Sequence, residues 1–213
     1  MTEYYDYPND FPLELGGSLS KLRIAYNTYG TLNERRDNVV WVCHGLTANS
    51  DVQDWWPHTV EEGRFLDPRD HFIVCANFLG SPYGTSGPMQ VDPATGKLYL
   101  DQFPKFTIRD MVRAHMLLAE HLGISRIDTM IGVSVGGFQA LEWAVMKPES
   151  IDKMILMATD AIASPWTIAL DENMRLAIEE APTFGNPTPD AGKAGPATAR
   201  AIALLSYRGP SGY

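Results

Sequence analysis

The sequence predicts an α/β fold with a mostly parallel sheet, and two patterns carry that expectation. The runs NVVWVCHG (38–45) and HFIVCANF (71–78) are continuously apolar, as strands must be when both faces of a parallel sheet are covered. From residue 107 onward helix-like and strand-like segments alternate, the order that builds parallel crossover units.

Taken in order, KLRIAYNTYG (21–30) alternates like an antiparallel strand. TIRDMVRAHMLLAEHLG (107–123) places Ile108, Met111, Val112, His115, Leu118 and Leu122 at helical spacing, and Gly123 suits a C-terminal stop. RIDTMIGVS (126–134) is the next strand, residues 136–147 form a helix ended by Pro148, and IDKMILMAT (151–159) is another strand. After residue 160 the character changes. SPWTIALDENMRLAIEEA (164–181) reads as a helix with Ser164 at the N-cap and Pro165 at the first helical position. A Pro/Gly-rich stretch (182–196) separates it from a second helix, ATARAIALLSY (197–207). Two helices without an intervening strand read as the start of a helical cap. The expected organisation is a core over 1–160 and a partial cap over 161–213.

The 213 residues carry 26 acidic and 17 basic side chains, a formal net charge of -9. That balance argues against a nucleic-acid or anionic-membrane surface, which needs clustered Lys and Arg. The start MTEYYDYPND lacks the basic and apolar regions of a secretory signal. No segment approaches the ~18 apolar residues of a membrane span. Cys43 and Cys75 each fall in a strand-like run and are expected as buried free thiols in a reducing cytoplasm. Neither belongs to a CxxC pair, so no metal site is expected. No P-loop or GxGxxG nucleotide motif is present.

Gly132-Val133-Ser134-Val135-Gly136 fits G-x-S-x-G between a strand and a helix. Such a turn lifts the serine hydroxyl above the sheet and aims a helix N-terminus at developing negative charge. Ser134 is therefore the candidate nucleophile. Acyl transfer through a tetrahedral intermediate also needs two N–H donors for the oxyanion. The backbone N–H of Val135 is one candidate. The second is the N–H of Leu46, or a neighbour, in VCHGLT (42–47) at the end of an earlier buried strand. His44 lies in the same loop, where ordering the loop is the favoured role.

With these motifs assembled, the chain resembles homoserine O-acetyltransferase and its close relatives, α/β-hydrolase-fold acyltransferases of methionine biosynthesis. The matching stretches are HGLTANSDVQDWWP (44–57), NFLGSPYGTSGP (77–88), FPKFTIRDMVRAH (103–115), GVSVGGFQALEWA (132–144) and ATARAIALLSYRG (197–209). The resemblance implies ping-pong chemistry: acetyl-CoA acylates Ser134, and the hydroxyl of L-homoserine then accepts the acetyl group. It implies Leu46 and Val135 as oxyanion donors, Arg200 as the partner of the homoserine carboxylate, and Tyr207 as a substrate-facing neighbour. Acetyl-CoA is then a co-substrate and no resident cofactor is expected. The family is commonly homodimeric through its cap helices, here within 164–207.

Departures from the family pattern are equally informative. The elbow has Val133 and Val135 where the family commonly has glycine and methionine. In α/β-hydrolases the triad runs Ser, then Asp or Glu, then His, yet His44, His58, His71, His115 and His121 all precede Ser134. Asp152, Asp160, Asp171 and Asp190 follow it, but none falls at the end of a strand after the cap. The expectation is an N-terminal portion without the family's C-terminal third, with little triad-dependent activity of its own. A serine esterase, a catalytically incomplete scaffold, and an acyltransferase with another donor or acceptor hydroxyl stay open.

Overall fold

The computed structural model describes residues 1–185 and 192–212. In chain order its elements are β1 (Glu3–Asp6), the hairpin strands β2 (Phe11–Pro12) and β3 (Ser18–Leu19), β4 (Arg23–Tyr29), β5 (Val39–Cys43), α1 (Val52–Trp55), β6 (Phe72–Ala76), α2 (Ile108–His121), β7 (Ile127–Val133), α3 (Val135–Met146), β8 (Ile151–Met157), α4 (Pro165–Glu179) and α5 (Ala194–Leu204), with short 3-10 turns between some of them. The contacts divide the chain into two compact units, Met1–Ala161 and Ile162–Tyr213.

In the first unit one sheet runs β1-β4-β6-β5-β7-β8. The two strands at its N-terminal edge are antiparallel to their neighbours, while β6, β5, β7 and β8 pair in parallel. The sequence expectation of a mostly parallel sheet is met. The order contains a reversal. From β5 the chain steps to β6 on one side, then returns to place β7 on the other. The C-terminal ends of β5 and β7 therefore flank a topological switch point, where open parallel sheets hold their ligands.

Side chains of the buried strands divide between the two faces as the period of two requires. Trp41, Cys43, Val74 and Ala76 join one core cluster; Val40, Val42, Ile73 and Cys75 join the other. Trp41 packs against Trp143 of α3 with ring centroids 5.2 Å apart. The two cysteines are consequently on opposite faces, both free and buried. Burial pushes the Cys43 thiol up to about 12 and the Cys75 thiol well above its ordinary range.

Helix α2 shows why TIRDMVRA has its residues. Thr107 accepts from the Asp110 N–H, and the Asp110 carboxylate accepts from the Thr107 N–H at 3.1 Å, a reciprocal capping box. The same buried carboxylate accepts from the Glu14 N–H at 3.0 Å and pairs with Arg113 at 3.1 Å. Arg113 also donates to the Pro12 carbonyl. This motif clamps the β2–β3 hairpin onto the helix. NFLGSPYGTSGP is likewise structural: the Thr85 and Ser86 hydroxyls accept from the N–H groups of Ala25 and Arg23, both at 2.9 Å, along β4.

In the second unit Ser164 caps α4 through the Thr167 N–H, with Pro165 opening the helix. Helix α5 differs from expectation. It starts at Ala194, so Pro196 lies in its first turn, where a missing N–H costs nothing because first-turn donors are unpaired anyway. It ends at Leu204 instead of 207; beyond it the Ser206 hydroxyl donates to the Ala203 carbonyl. Residues 186–191 of the Pro/Gly-rich connector, Asp190 among them, lie outside the described residues. No helix is long and apolar enough to cross a membrane among the described residues.

Candidate active site

Strand β7 stops at Val133 and α3 starts at Val135, leaving a single residue to make the turn. That residue is Ser134, with φ 54° and ψ -119°. These angles match the first central position of a type II′ turn, a conformation dominated by glycine. A serine held there is strained and kept in place by its surroundings. Its N–H donates to the Met157 carbonyl of β8 at 3.0 Å, and its own carbonyl accepts from the Gly137 N–H at 2.8 Å. The side chain is exposed and makes no helix cap.

Three glycines make the turn possible by close approach. A Cβ on Gly132 would lie 2.7 Å from the Gly137 Cα. On Gly136 it would sit far inside contact with the Cys43 carbonyl at the end of β5, and on Gly137 it would strike Thr159 just after β8. Helix α3 can therefore descend directly onto the ends of three adjacent strands. That descent sets the Ser134 elbow against the loop that follows β5.

That loop begins with buried His44 and rises to Leu46, which is 65% exposed. A Cβ built on Gly45 would be 3.8 Å from the Ser134 Cβ, so the loop runs beside the elbow with room for little more than a methyl group between Gly45 and the serine. The Gly45 carbonyl accepts from the Ala48 N–H at 3.1 Å, closing a turn over 45–48. The residues expected from sequence to serve as nucleophile and oxyanion donors, Ser134, Val135 and Leu46, thus converge at the switch point between β5 and β7.

The histidines do not supply a base at this site. His44 is fully buried; its Nδ1 lies 2.8 Å from the Gly45 carbonyl. Burial pushes its imidazole down, with the Gly45 carbonyl and the neighbouring Asn77 side chain pulling the other way. His115 is buried beneath the sheet end, its Nε2 3.4 Å from the Asn77 carbonyl, and burial holds it at about 4. His58 pairs with Glu61, and His121 stacks on Tyr5. Among the described residues none is hydrogen-bonded to Ser134. Asp160 lies just past β8 and its carboxylate accepts from the Ala161 N–H.

In the second unit Arg200 and Tyr207 meet each other. Arg200 Nη1 donates to the Tyr207 hydroxyl at 3.0 Å, and the guanidinium lies over the Tyr207 ring, 5.7 Å from its centroid. Both are exposed. Among the described residues no group of three or more His, Cys, Asp or Glu side chains could hold a metal.

Sequence reasoning missed the buried polar cluster behind the loop. Asn27, Ser50, Asn77 and His44 are all buried. Asn77 Nδ2 donates to Ser50 Oγ and to the Tyr83 carbonyl, each at 3.0 Å, and Ser50 donates to Asn27 Oδ1 at 2.8 Å. The sequence signal was slight: an Asn within β4, a Ser in the polar stretch after β5 and an Asn just past β6, residues that surface positions hold equally well.

The family model for the α/β hydrolase fold matches residues 38–200. The chain belongs to the α/β hydrolase fold family. Among curated proteins it is 46% identical over 198 residues to a homoserine O-acetyltransferase of Cyclobacterium marinum, covering 93% of this chain and 56% of the relative. Among solved structures, an esterase superposes with a TM-score of 0.89 at 26% identity, covering 99% of this chain and 62% of that one. A homoserine O-acetyltransferase from Bacillus anthracis superposes with a TM-score of 0.86 at 28% identity, covering 96% and 60%. The chain therefore spans little more than half the length of the curated relatives it matches.

Proposed function

We propose that this chain carries the nucleophile half of an acyltransferase site that moves an acetyl group from acetyl-CoA to the hydroxyl of L-homoserine. The observation that carries the reaction class is the backbone of Ser134, strained at positive φ, exposed, and faced by the Leu46 loop. Ser134 Oγ attacks the thioester carbonyl, the C–S bond breaks, and coenzyme A leaves as the thiol. Leu46 and Val135 N–H groups receive the oxyanion. The homoserine hydroxyl then attacks the acetyl-serine ester and restores Ser134. The acceptor is taken from the curated relatives, and Arg200 with Tyr207 is the pair suited to its carboxylate, since a guanidinium meets a carboxylate bidentately.

No histidine engages Ser134 among the described residues, so the base that takes its proton is not assigned to any of them. Buried free Cys43 and Cys75 suit a reducing, cytoplasmic setting, and a homodimer through the helical segment is part of the same reading. A second reading, a serine esterase, is supported by the esterase structure of the same fold. The two differ only in whether water or homoserine resolves the acyl-enzyme.

The test is thiol release from acetyl-CoA by a hybrid that joins these residues to the part of the Cyclobacterium marinum relative they do not match. Release that depends on homoserine and yields O-acetylhomoserine supports the transferase. Equal release with and without homoserine supports the esterase. Survival of either under Ser134→Ala would refute both.

A further inference from the structure

We propose that His44 is a positioning residue that fixes the direction of the Leu46 N–H, and that the buried Asn27–Ser50–Asn77 chain holds the surroundings of its ring. The proposal rests on the acyl-transfer reading, in which that N–H receives the oxyanion.

The argument starts from the peptide plane. In a trans peptide the carbonyl of one residue and the N–H of the next point in opposite directions. The Gly45 carbonyl is gripped twice, by the Ala48 N–H at 3.1 Å and by His44 Nδ1 at 2.8 Å. A carbonyl can only accept, so His44 must carry its proton on Nδ1. The ring is wholly buried, which places that grip on the core side of the peptide. The Leu46 N–H is thereby turned away from the core, on a loop that runs beside the Ser134 elbow.

The ring itself has no freedom to turn. Phe78 lies against it with centroids 4.9 Å apart, and the Asn77 side chain sits beside it. Both Asn77 amide hydrogens are committed, to Ser50 Oγ and to the Tyr83 carbonyl, so Asn77 cannot flip to offer a donor to the ring. His44 Nε2 and Asn77 Oδ1 are both left without a partner among the described residues. The Nδ1 contact with the Gly45 carbonyl selects the Nδ1–H tautomer, and in the neutral ring that leaves Nε2 bare. The same bare Nε2 is buried away from the exposed Ser134 hydroxyl, so His44 acts on the loop and not as the general base.

The experiment uses the 213-residue chain labelled with nitrogen-15. Long-range spectra of the histidine rings should show His44 protonated at Nδ1 and bare at Nε2. Residual dipolar couplings should place the Leu46 N–H vector as in the structure, both in the unaltered chain and in His44→Asn, whose side-chain amide can donate near the Nδ1 position. In His44→Leu the Leu46 coupling should shift while those of β5 and β7 amides hold. An Nε2–H tautomer, an unmoved Leu46 vector in His44→Leu, or no recovery in His44→Asn would each overturn the proposal. If His44→Leu does not fold, the tautomer of the unaltered chain still decides. None of these readouts depends on acetyl transfer, so failure of the acyl-transfer reading is seen separately, in the thiol-release assay.

Discussion

Ser134 occupies a backbone conformation that its side chain makes expensive. A non-glycine residue there costs of order 1–3 kcal/mol, which persists because the Met157 carbonyl and the Gly137 N–H hold it on both sides. Ser134→Gly should therefore stabilise the protein by about 1 kcal/mol, after glycine's entropic cost is subtracted. Urea unfolding would show it, and a destabilised glycine variant would mean that the turn is not strained. His115 supplies a pH prediction. Burial lowers its imidazole from the ordinary 6.5 to about 4, so in that window the unfolded chain binds a proton that the folded chain does not. Stability should fall as pH drops from 6.5 to 4, by on the order of 3 kcal/mol for this group at the lower end. His115→Gln should flatten that part of the urea-midpoint profile relative to the unaltered chain; an identical slope would contradict the assignment.

At the scale of whole elements, a specific motif can be a structural joint. The capping motif of α2 is one of the stretches that carry the family resemblance, and its Asp110 binds the Thr107 and Glu14 N–H groups and Arg113. It joins helix to hairpin. Asp110→Ala leaves buried donors unpaired and should cost about 3 kcal/mol in urea unfolding, given 1–3 kcal/mol per orphaned group. Loss no greater than that of an exposed substitution would show that the clamp is dispensable. Strand β8 presents the opposite case. Met154, Ile155 and Leu156 keep 36–38% exposure, on a strand paired only with β7 among the described residues. Apolar parallel strands are normally covered on both faces, and an open edge of this kind invites pairing. The isolated chain should associate as its concentration rises, and Ile155→Lys should reduce that association in sedimentation velocity. Equal behaviour of the two proteins would place the sticky surface elsewhere.

At the scale of the molecule, position follows from strand order. The sheet reverses between β5 and β7, and the Ser134 elbow and the Leu46 loop are the two chain segments that leave those strands at the reversal. The apolar runs of β5 and β6, the capped α2 and the glycine-flanked Ser134 were legible in the sequence because each rests on local physics: periodicity, capping and steric room. The α5 boundaries were less legible, since a proline in a first turn and one ahead of a helix look alike. The sequence alone determined the parallel α/β class, the nucleophile candidate and the fact that every histidine precedes it. Only the tertiary structure decided that Gly136 and Gly137 let α3 meet the ends of β5 and β8, that His44 faces the Gly45 carbonyl, and that Asn27, Ser50 and Asn77 form one buried chain. Those relations join residues far apart in sequence through packing and hydrogen-bond direction, which no local pattern encodes.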